Sequence, residues 1–515
     1  MKQSTRFVRF CHAAALILFF CLMGILAFGA LELTAVNVPT DNSMSQRVIL
    51  MKDGLFKGLV MTSVLALAVM AVHLLVERLG GIRVSKVLGV LWIAAALVFV
   101  WADGLKAPTG VDSGMMIHAS SLFARGDYSA LQSNDYFDMC SYQLGFALPL
   151  EVLARIFPHA DLNMVSQAVN VFLGAAVMGM TAALTQTLFG NRRAASASVL
   201  LYVLFLVPMF FCTFVYGALP MILCCICAFF FFARYVQTGK NRFGMLYALF
   251  VAAGLVVKPN TAVAAAALLI CAVLHAIKTK KVKPVLFAGL SFVLGAVCLQ
   301  AVIGFYEMRA GVSLQGDMGM TSRLVMGMQD SPIAAGWYNG YVENVFRADW
   351  TEEEAKAHVM ADMAERLRWM RENPGQAALF YREKVFTQWL EPGCDAIWMN
   401  SVYETTGRFN GRMYRLFRDQ TPLSVALYGY LNLFQQMLYA LTIVGGIYAW
   451  KHRDDVTMLM LPVTVIGGIL YHFLFEAKAQ YAYPYIVYML PLAAQGLCVM
   501  ESVLRKAGGR ILKKH

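Results

Sequence analysis

Charge is what this 515-residue chain has least of. Only 14% of its residues are Asp, Glu, Lys or Arg, while 59% are hydrophobic and the mean hydropathy is +0.59; a soluble domain carries roughly 25% charged residues. A surface this apolar needs lipid as its solvent. Also missing are a Walker loop, a dinucleotide-binding glycine pattern, His-Glu-x-x-His and Gly-x-Ser-x-Gly. Nucleotide-driven transport and zinc or serine hydrolysis therefore have no residues to stand on. No repeat, low-complexity tract or disordered linker occurs, and the apolar runs are continuous instead of alternating, which excludes a closed β-barrel. Cysteine is scarce outside those runs. Cys224, Cys225 and Cys227 lie within one, as small buried hydrophobes with no histidine or second cysteine pair to complete a metal site. Cys140 and Cys394 are the two expected to face an oxidising space, and no spacing rule pairs them.

What is present is a series of apolar runs of roughly 17–25 residues, the length a helix needs to cross a bilayer. They fall near 10–33, 57–77, 87–102, 163–189, 195–212, 217–233, 243–257, 261–277, 284–306, 424–450, 456–475 and 480–503. The first follows Lys2, Arg6 and Arg9 like a signal peptide, but it is too long for an h-region and no cleavage pattern follows, so it reads as a retained span. The formal charge of +12 would suggest nucleic acid in a soluble protein. Here the basic residues sit in short loops: Arg78, Arg83 and Lys86; Arg192 and Arg193; Arg234, Lys240 and Arg242; Lys278, Lys280, Lys281 and Lys283; Lys451 and Arg453; and a tail with Arg505, Lys506, Arg510, Lys513 and Lys514. With the N-terminus in the cytoplasm these loops share one side, as the positive-inside rule requires. That holds if residues from about Tyr142 to Phe157, which include Glu151 and Arg155, form an interfacial or re-entrant helix. If they cross, the count becomes thirteen.

Two segments are too polar to span and are expected outside: a first outer loop at 103–141 and a helical domain at 307–420. Four parts result: 1–86, two spans of unassigned role; 87–306, a transmembrane core; 307–420; and 421–515, the last spans with the basic tail. In the outer domain Thr351 and Glu354 have the spacing of a capping box, predicting a helix to about Glu372 that Asn373-Pro374-Gly375 ends. A second helix follows over Gln376–Leu390.

Residues fit for chemistry concentrate outside. Asp103, Asp112, Asp127, Asp135 and Asp138 crowd the first outer loop; a partly desolvated carboxylate there can take a proton from a hydroxyl or bind a cation. The same aspartates also suit turn and helix caps, and Asp112 stands at N-cap spacing before a helix. Lys258, in Val257-Lys258-Pro259, either snorkels to the interface or meets an anion such as phosphate. Glu476, Lys478 and Tyr481 between the last two spans read as interface charges and aromatic belt, or as a site. His118 has no ligand partner at i+4, so no metal site is assigned to protein residues.

Taken in order along the chain, Pro108, Asp112, Gly126-Asp127-Tyr128, Tyr136-Phe137, Tyr142-Gln143 and the late Glu476-Ala477-Lys478 with Tyr481 and Pro484 resemble a C-type (GT-C) membrane glycosyltransferase. The likeness is to bacterial family-39 protein mannosyltransferases and to aminoarabinose transferases, and covers about residues 87–500. Weaker echoes are Gly254 to Pro259, Met326-Gly327-Met328, Gly336-Trp337-Tyr338-Asn339, and Asn373-Pro374 with Lys384 and Trp389. The resemblance implies an all-α polytopic protein, a GT-C-like bundle of about 12–13 transmembrane helices with a small extracytoplasmic domain. It implies transfer of a sugar, with inversion, from a polyprenyl-phosphate donor to a hydroxyl of a glycan, lipid or protein acceptor at the outer face of a bacterial cytoplasmic membrane. Asp112 would be the catalytic base; Asp103, Tyr142, Gln143, Lys258, Glu476, Lys478 and Tyr481 would bind substrate. The resemblance fixes no cofactor and leaves a divalent cation open. Against this stand a transporter or flippase of lipid-linked saccharides and a polymerase, ligase or non-catalytic relative. Three features depart from the pattern: two spans precede the one leading to the first loop; that loop has no adjacent acidic pair, which leaves Asp103 as the alternative to Asp112 for the family's carboxylate, Asp112 being favoured by its spacing to Gly126 and Tyr128; and Gln480 stands where a basic residue is expected.

Overall fold

A backbone in hydrocarbon must satisfy its own N–H and C=O groups, and the apolar runs do so as helices. The computed structural model describes residues 2–39, 46–132, 135–314, 319–348, 350–405, 407, 410–417 and 420–511. Among these, nine helices are long and apolar enough to cross a membrane: Arg6–Glu32, Leu55–Leu79, Ile82–Asp103, Leu162–Phe189, Ala218–Thr238, Thr261–Thr279, Lys283–Ala310, Val456–Leu474 and Tyr483–Ala507. A tenth is the pair Arg192–Leu204 and Val207–Thr213, bent by 56° just before Pro208, which lacks a backbone donor. The remaining two expected spans are the shorter apolar helix Asn241–Val257 and the 30-residue helix Pro422–Lys451. The latter crosses the last helix at close range: a Cβ added at Gly445 would lie 2.0 Å from Leu492 O, and one at Gly496 2.1 Å from Leu441 O. Small residues are what allow two membrane helices to approach so closely.

The segment 142–157 becomes a 3-10 turn and the 13-residue helix Leu144–Ile156 with Pro149 inside it. At about 1.5 Å per residue such a helix is too short for a bilayer core of about 30 Å. It is tied down by Glu151, which is buried and accepts from Arg155 Nη2 (2.7 Å), Arg309 Nη1 (2.9 Å) and Tyr306 Oη (2.6 Å). Glu151→Leu would strand the Arg309 guanidinium. Its expected cost is about 3 kcal/mol, the scale for removing one partner of a buried pair, read as a lower melting temperature in detergent; an unchanged melting temperature would remove this cluster from the account.

At one end of the bundle the basic loops meet acidic partners. Arg9 pairs with Asp454 (2.5 Å), Lys278 donates to the Asp454 carbonyl, and Arg193 and His73 both bond Glu501 (2.7 and 2.5 Å). The other end carries the polar segments and an element with no sequence expectation behind it. Leu33–Pro39 and Gln46–Lys52 form an antiparallel hairpin between the first two spans, in register from Leu33↔Lys52 to Pro39↔Gln46. A second small ladder, Leu105–Lys106 with Glu404–Thr405, joins the first polar segment to the second. Within the second, the Thr351–Glu354 capping box is present and opens the helix Glu352–Glu372; Pro374–Trp389 follows.

Candidate active site

The helix Asp112–Ala124 begins at Asp112, whose turn is held by the Val111 N–H donating to Pro108 O (3.1 Å). Two residues on, Gly114 lets that turn close: a Cβ there would meet Pro108 O at 1.9 Å. The N-cap is Val111, with no side-chain cap bond, so the Asp112 carboxylate is not spent on capping. It is exposed, and it acts electrostatically on Tyr136, Tyr216, Lys258, Tyr338, Tyr403, Glu476 and Tyr481. Residues far apart in sequence are thus within electrostatic range of one carboxylate. Asp127 and Asp135, by contrast, are turn caps, accepting from the backbone N–H of Ser129 (2.9 Å) and Tyr136 (2.7 Å).

Lys258 caps the C-terminus of the helix Asn241–Val257 in an extended conformation, its backbone N–H donating to Gly254 O. Its Nζ donates to Tyr216 O (2.9 Å) and lies 3.6 Å from the centre of the Tyr216 ring. Burial pulls this ammonium down to about 7, against the pull of Asp112 in the other direction. Tyr216 is itself buried, and its hydroxyl accepts from Gln143 Nε2 (2.6 Å). Gln143, expected among the substrate contacts, is thus a buried support for the tyrosine that holds Lys258. Its neighbour Tyr142 stays half-buried beside Arg323, whose guanidinium lies 5.4 Å from its ring centre.

The loop after Leu474 brings in the third group. Tyr481 Oη donates to Glu476 Oε2 (3.3 Å), His472 Nδ1 lies 3.0 Å from the Glu476 carbonyl, and the His472 and Tyr481 rings stack. Burial raises the Glu476 carboxyl, and Lys478 and Arg323 oppose that rise. The second polar segment clamps this loop. Gly336 O accepts from Ala477 N (2.8 Å), and Lys384 Nζ donates to Gly327 O and to Leu474 O (3.4 Å). Lys384 is fully buried, and burial pulls it down to about 7. The weak echoes Gly327, Gly336 and Lys384 are thereby explained: they seat Glu476.

Asp103 does not join the cluster. It is fully buried at the end of its helix, its carbonyl accepts from Gly407 N (3.2 Å), and among the described residues neither carboxylate oxygen has a hydrogen-bond partner. A desolvated carboxylate enclosed there has no open face for a substrate. Sequence reasoning in turn missed Arg323, Tyr216, Tyr338, Tyr403 and the buried pair Glu391 and Asp395. Cys140 and Cys394 are both buried, free thiols. Among the described residues one group has metal-ligand proximity, His73, Cys498 and Glu501. It lies at the opposite end, where Arg193 already bonds Glu501.

The cluster thus sets one exposed carboxylate, Asp112, within electrostatic range of a second, Glu476, with Lys258, Lys478 and Arg323 supplying positive charge and six tyrosines supplying hydroxyls and ring faces. Cations of this kind can bind an anion, and carboxylates and phenols can bind hydroxyl groups.

A family described as dolichyl-phosphate-mannose-protein mannosyltransferase matches residues 149–300, a stretch that includes Lys258. The chain is thus similar, over that part, to GT-C mannosyltransferases. Among solved structures, three forms of an oligosaccharyltransferase from Archaeoglobus fulgidus are similar at 12% identity. The complex of AglB with an inhibitory peptide and a dolichol-phosphate matches 83% of this chain and 51% of that one, with a TM-score of 0.41. The apo form matches 82% and 52% at 0.41, and the form tethered to an acceptor peptide 81% and 50% at 0.42. This chain spans about half the length of those proteins. No curated protein sequence matches.

Proposed function

We propose that this chain is a GT-C glycosyltransferase that moves a sugar from a polyprenyl-phosphate donor to an acceptor hydroxyl at the outer face of the membrane, with inversion. The observation that carries this is the convergence of Asp112, Lys258, Glu476 and Lys478, from three separate parts of the sequence, on one spot at the end of the bundle away from the basic loops. The match of residues 149–300 to the mannosyltransferase family points the same way.

In this reading Asp112 takes the proton of the acceptor hydroxyl as its oxygen bonds to the anomeric carbon, and the bond from that carbon to the phosphate oxygen breaks. The electron pair leaves with the prenyl phosphate, whose charge Lys258, Lys478 and Arg323 neutralise. Glu476, held by Tyr481, accepts from sugar hydroxyls. A lipid phosphate is itself the activating group, so no nucleotide site is needed.

The test is transfer of labelled sugar from polyprenyl-phosphate-linked hexoses by the purified protein in nanodiscs, across a panel of glycan, lipid and peptide acceptors. Label in an acceptor supports the reading, and none in any acceptor contradicts it. Lys258→Met is expected to lower kcat/KM for the donor about a hundredfold, the scale of removing one donor from a site of developing negative charge; an unchanged value takes Lys258 out of the phosphate site. Because three cations face the phosphate, transfer is expected to persist in chelator. Loss restored by magnesium or manganese would instead place a metal on Asp112 and Glu476, oxygen ligands such ions accept.

A further inference from the structure

Glu501, near the end of the last helix, is buried, and its carboxylate is shared between two parts of the chain that the transfer chemistry leaves unused. Its Oε2 accepts from Arg193 Nη2 (2.7 Å), and its Oε1 lies 2.5 Å from Nδ1 of the buried His73. The other ring nitrogen of His73, Nε2, lies 3.1 Å from Arg193 O, a carbonyl that can only accept, so Nε2 carries a hydrogen. In a neutral ring Nδ1 then presents its lone pair to a carboxylate oxygen. Two acceptors at this distance need a cation between them, either a second ring proton or a metal ion.

A proton would use those two atoms alone. The fold adds a third donor: Cys498 precedes Glu501 by one helical turn on the same face of the helix Tyr483–Ile511, and the ligand atoms of His73, Cys498 and Glu501 all lie within 4.8 Å of one another. A nitrogen and an oxygen ligand on tetrahedral zinc are about 3.3 Å apart, so the 2.5 Å pair has to open by about 0.8 Å, which rotation of the Glu501 side chain supplies. The surroundings suit metal ligands too. The non-ligating ring N–H of His73 donates to a backbone carbonyl and the outer oxygen of Glu501 accepts from a guanidinium, which fixes both groups in orientation. Glu77 adds a second negative charge: its Oε1, buried and without a hydrogen bond among the described residues, lies 3.7 Å from His73 Nε2, and its Oε2 lies 3.8 Å from Arg193 Nε. Two carboxylates, one thiolate and one guanidinium leave a charge that a divalent ion cancels. Arg193 and Glu77 are partly exposed, which gives an ion a way in from the water.

We propose that His73, Cys498 and Glu501 form a binding site for zinc or a similar divalent transition metal, a clip that ties the second span to the last helix at the end of the bundle away from Asp112. Sulfur, nitrogen and oxygen donors together select such an ion over magnesium or calcium, and three protein ligands leave its fourth position to water. On binding, bonds form from the metal to sulfur, nitrogen and oxygen, the Cys498 thiol proton goes to solvent, and nothing is oxidised or reduced. The clip holds in place the first two spans, which the transfer chemistry does not use. It takes no part in sugar transfer and does not depend on that reading.

Two measurements on the full-length protein in nanodiscs, stripped of metal by chelator, test it. The first is titration with cobalt(II), which reports its own ligands in its absorption spectrum. One equivalent is expected to give the visible bands of a tetrahedral site and a thiolate-to-cobalt charge-transfer band, both abolished by added zinc. Cys498→Ser is expected to remove the charge-transfer band, and Cys271→Ser to keep it. Cobalt held by Asp112 and Glu476 would have oxygen ligands and no such band, so the two ends of the bundle are told apart. The second is the melting temperature with and without zinc: a rise of several degrees in the wild type, from binding to the folded state alone, and none in Cys498→Ser or His73→Ala. Cys498 is partly exposed and serine is close to it in size, so if His73→Ala fails to fold, Cys498→Ser carries both readouts. No charge-transfer band in the wild type, a band that survives Cys498→Ser, or a melting temperature indifferent to zinc would overturn the proposal and leave His73 and Glu501 as a pair bridged by a proton.

Discussion

Asp112→Asn is expected to slow sugar transfer about a thousandfold, within the range of removing a general base, with donor affinity kept. The amide has the size and shape of the carboxylate but cannot take a proton. Nothing in the fold depends on the lost charge: Asp112 is exposed, opens its helix without serving as its cap, and accepts no hydrogen bond among the described residues. Stability should therefore be unchanged, which separates a chemical loss from unfolding. Lys258 loses one of the anionic groups that favour its protonated form in this variant, and the bound donor phosphate takes that place. Initial rates with labelled donor, together with the donor dissociation constant, check both halves. A wild-type rate would take Asp112 out of the base role and leave Glu476 as the next carboxylate to replace.

The second large effect is expected from a methyl group some distance from the reacting atoms. A Cβ at Gly327 would lie 2.4 Å from the backbone carbon of Phe475 and 2.6 Å from Leu474 O. Neither is the yielding end of a side chain, so Gly327→Ala must push back the loop that carries Glu476. The bonds from Lys384 to Gly327 O and Leu474 O, and from Ala477 N to Gly336 O, would be strained by the same shift. Misplacing a catalytic group by about 1 Å can cost on the order of a hundredfold in rate, and a loss of at least that size is expected with helix content and membrane insertion intact. Gly375→Ala is the control, since no atom lies within 4 Å of its added Cβ. Equal rates in the two variants would show that the clamp does not set the position of Glu476.

Much of the bundle is legible in the sequence because lipid enforces a simple rule: an apolar run of the right length has no stable form but a helix. The capping box of Thr351 and Glu354 is equally local, since both halves of the interaction sit within one turn. The site is legible only as a set of lone polar residues. Lys258 and Glu476 stand out because each is a charge at the end of an apolar run, where charge is expensive, whereas Asp112 is one of five aspartates in the first polar loop. Their convergence is a tertiary fact that no spacing encodes. Gln143 and Asp103 show the converse: residue type announces chemistry, whereas burial makes the first a hydrogen-bonding support for Tyr216 and encloses the second. Arg323 gives no signal, being one arginine in a polar segment, and acquires meaning only beside Tyr142 and Glu476. The hairpin was hidden by its context. It follows a long apolar run, and its strands hold together partly through contacts with Leu390 and Ile333, hundreds of residues away.

The measurement that tests the central claim most directly is the fate of a sugar label presented on a polyprenyl phosphate in sealed proteoliposomes containing the protein. The account predicts that the label leaves the lipid and appears, with inverted anomeric configuration, on an acceptor outside the vesicle, and that Asp112→Asn abolishes this. Label that stays on its lipid and changes leaflet, in wild type and Asp112→Asn alike, would contradict the account and identify a carrier of lipid-linked saccharide in place of a transferase.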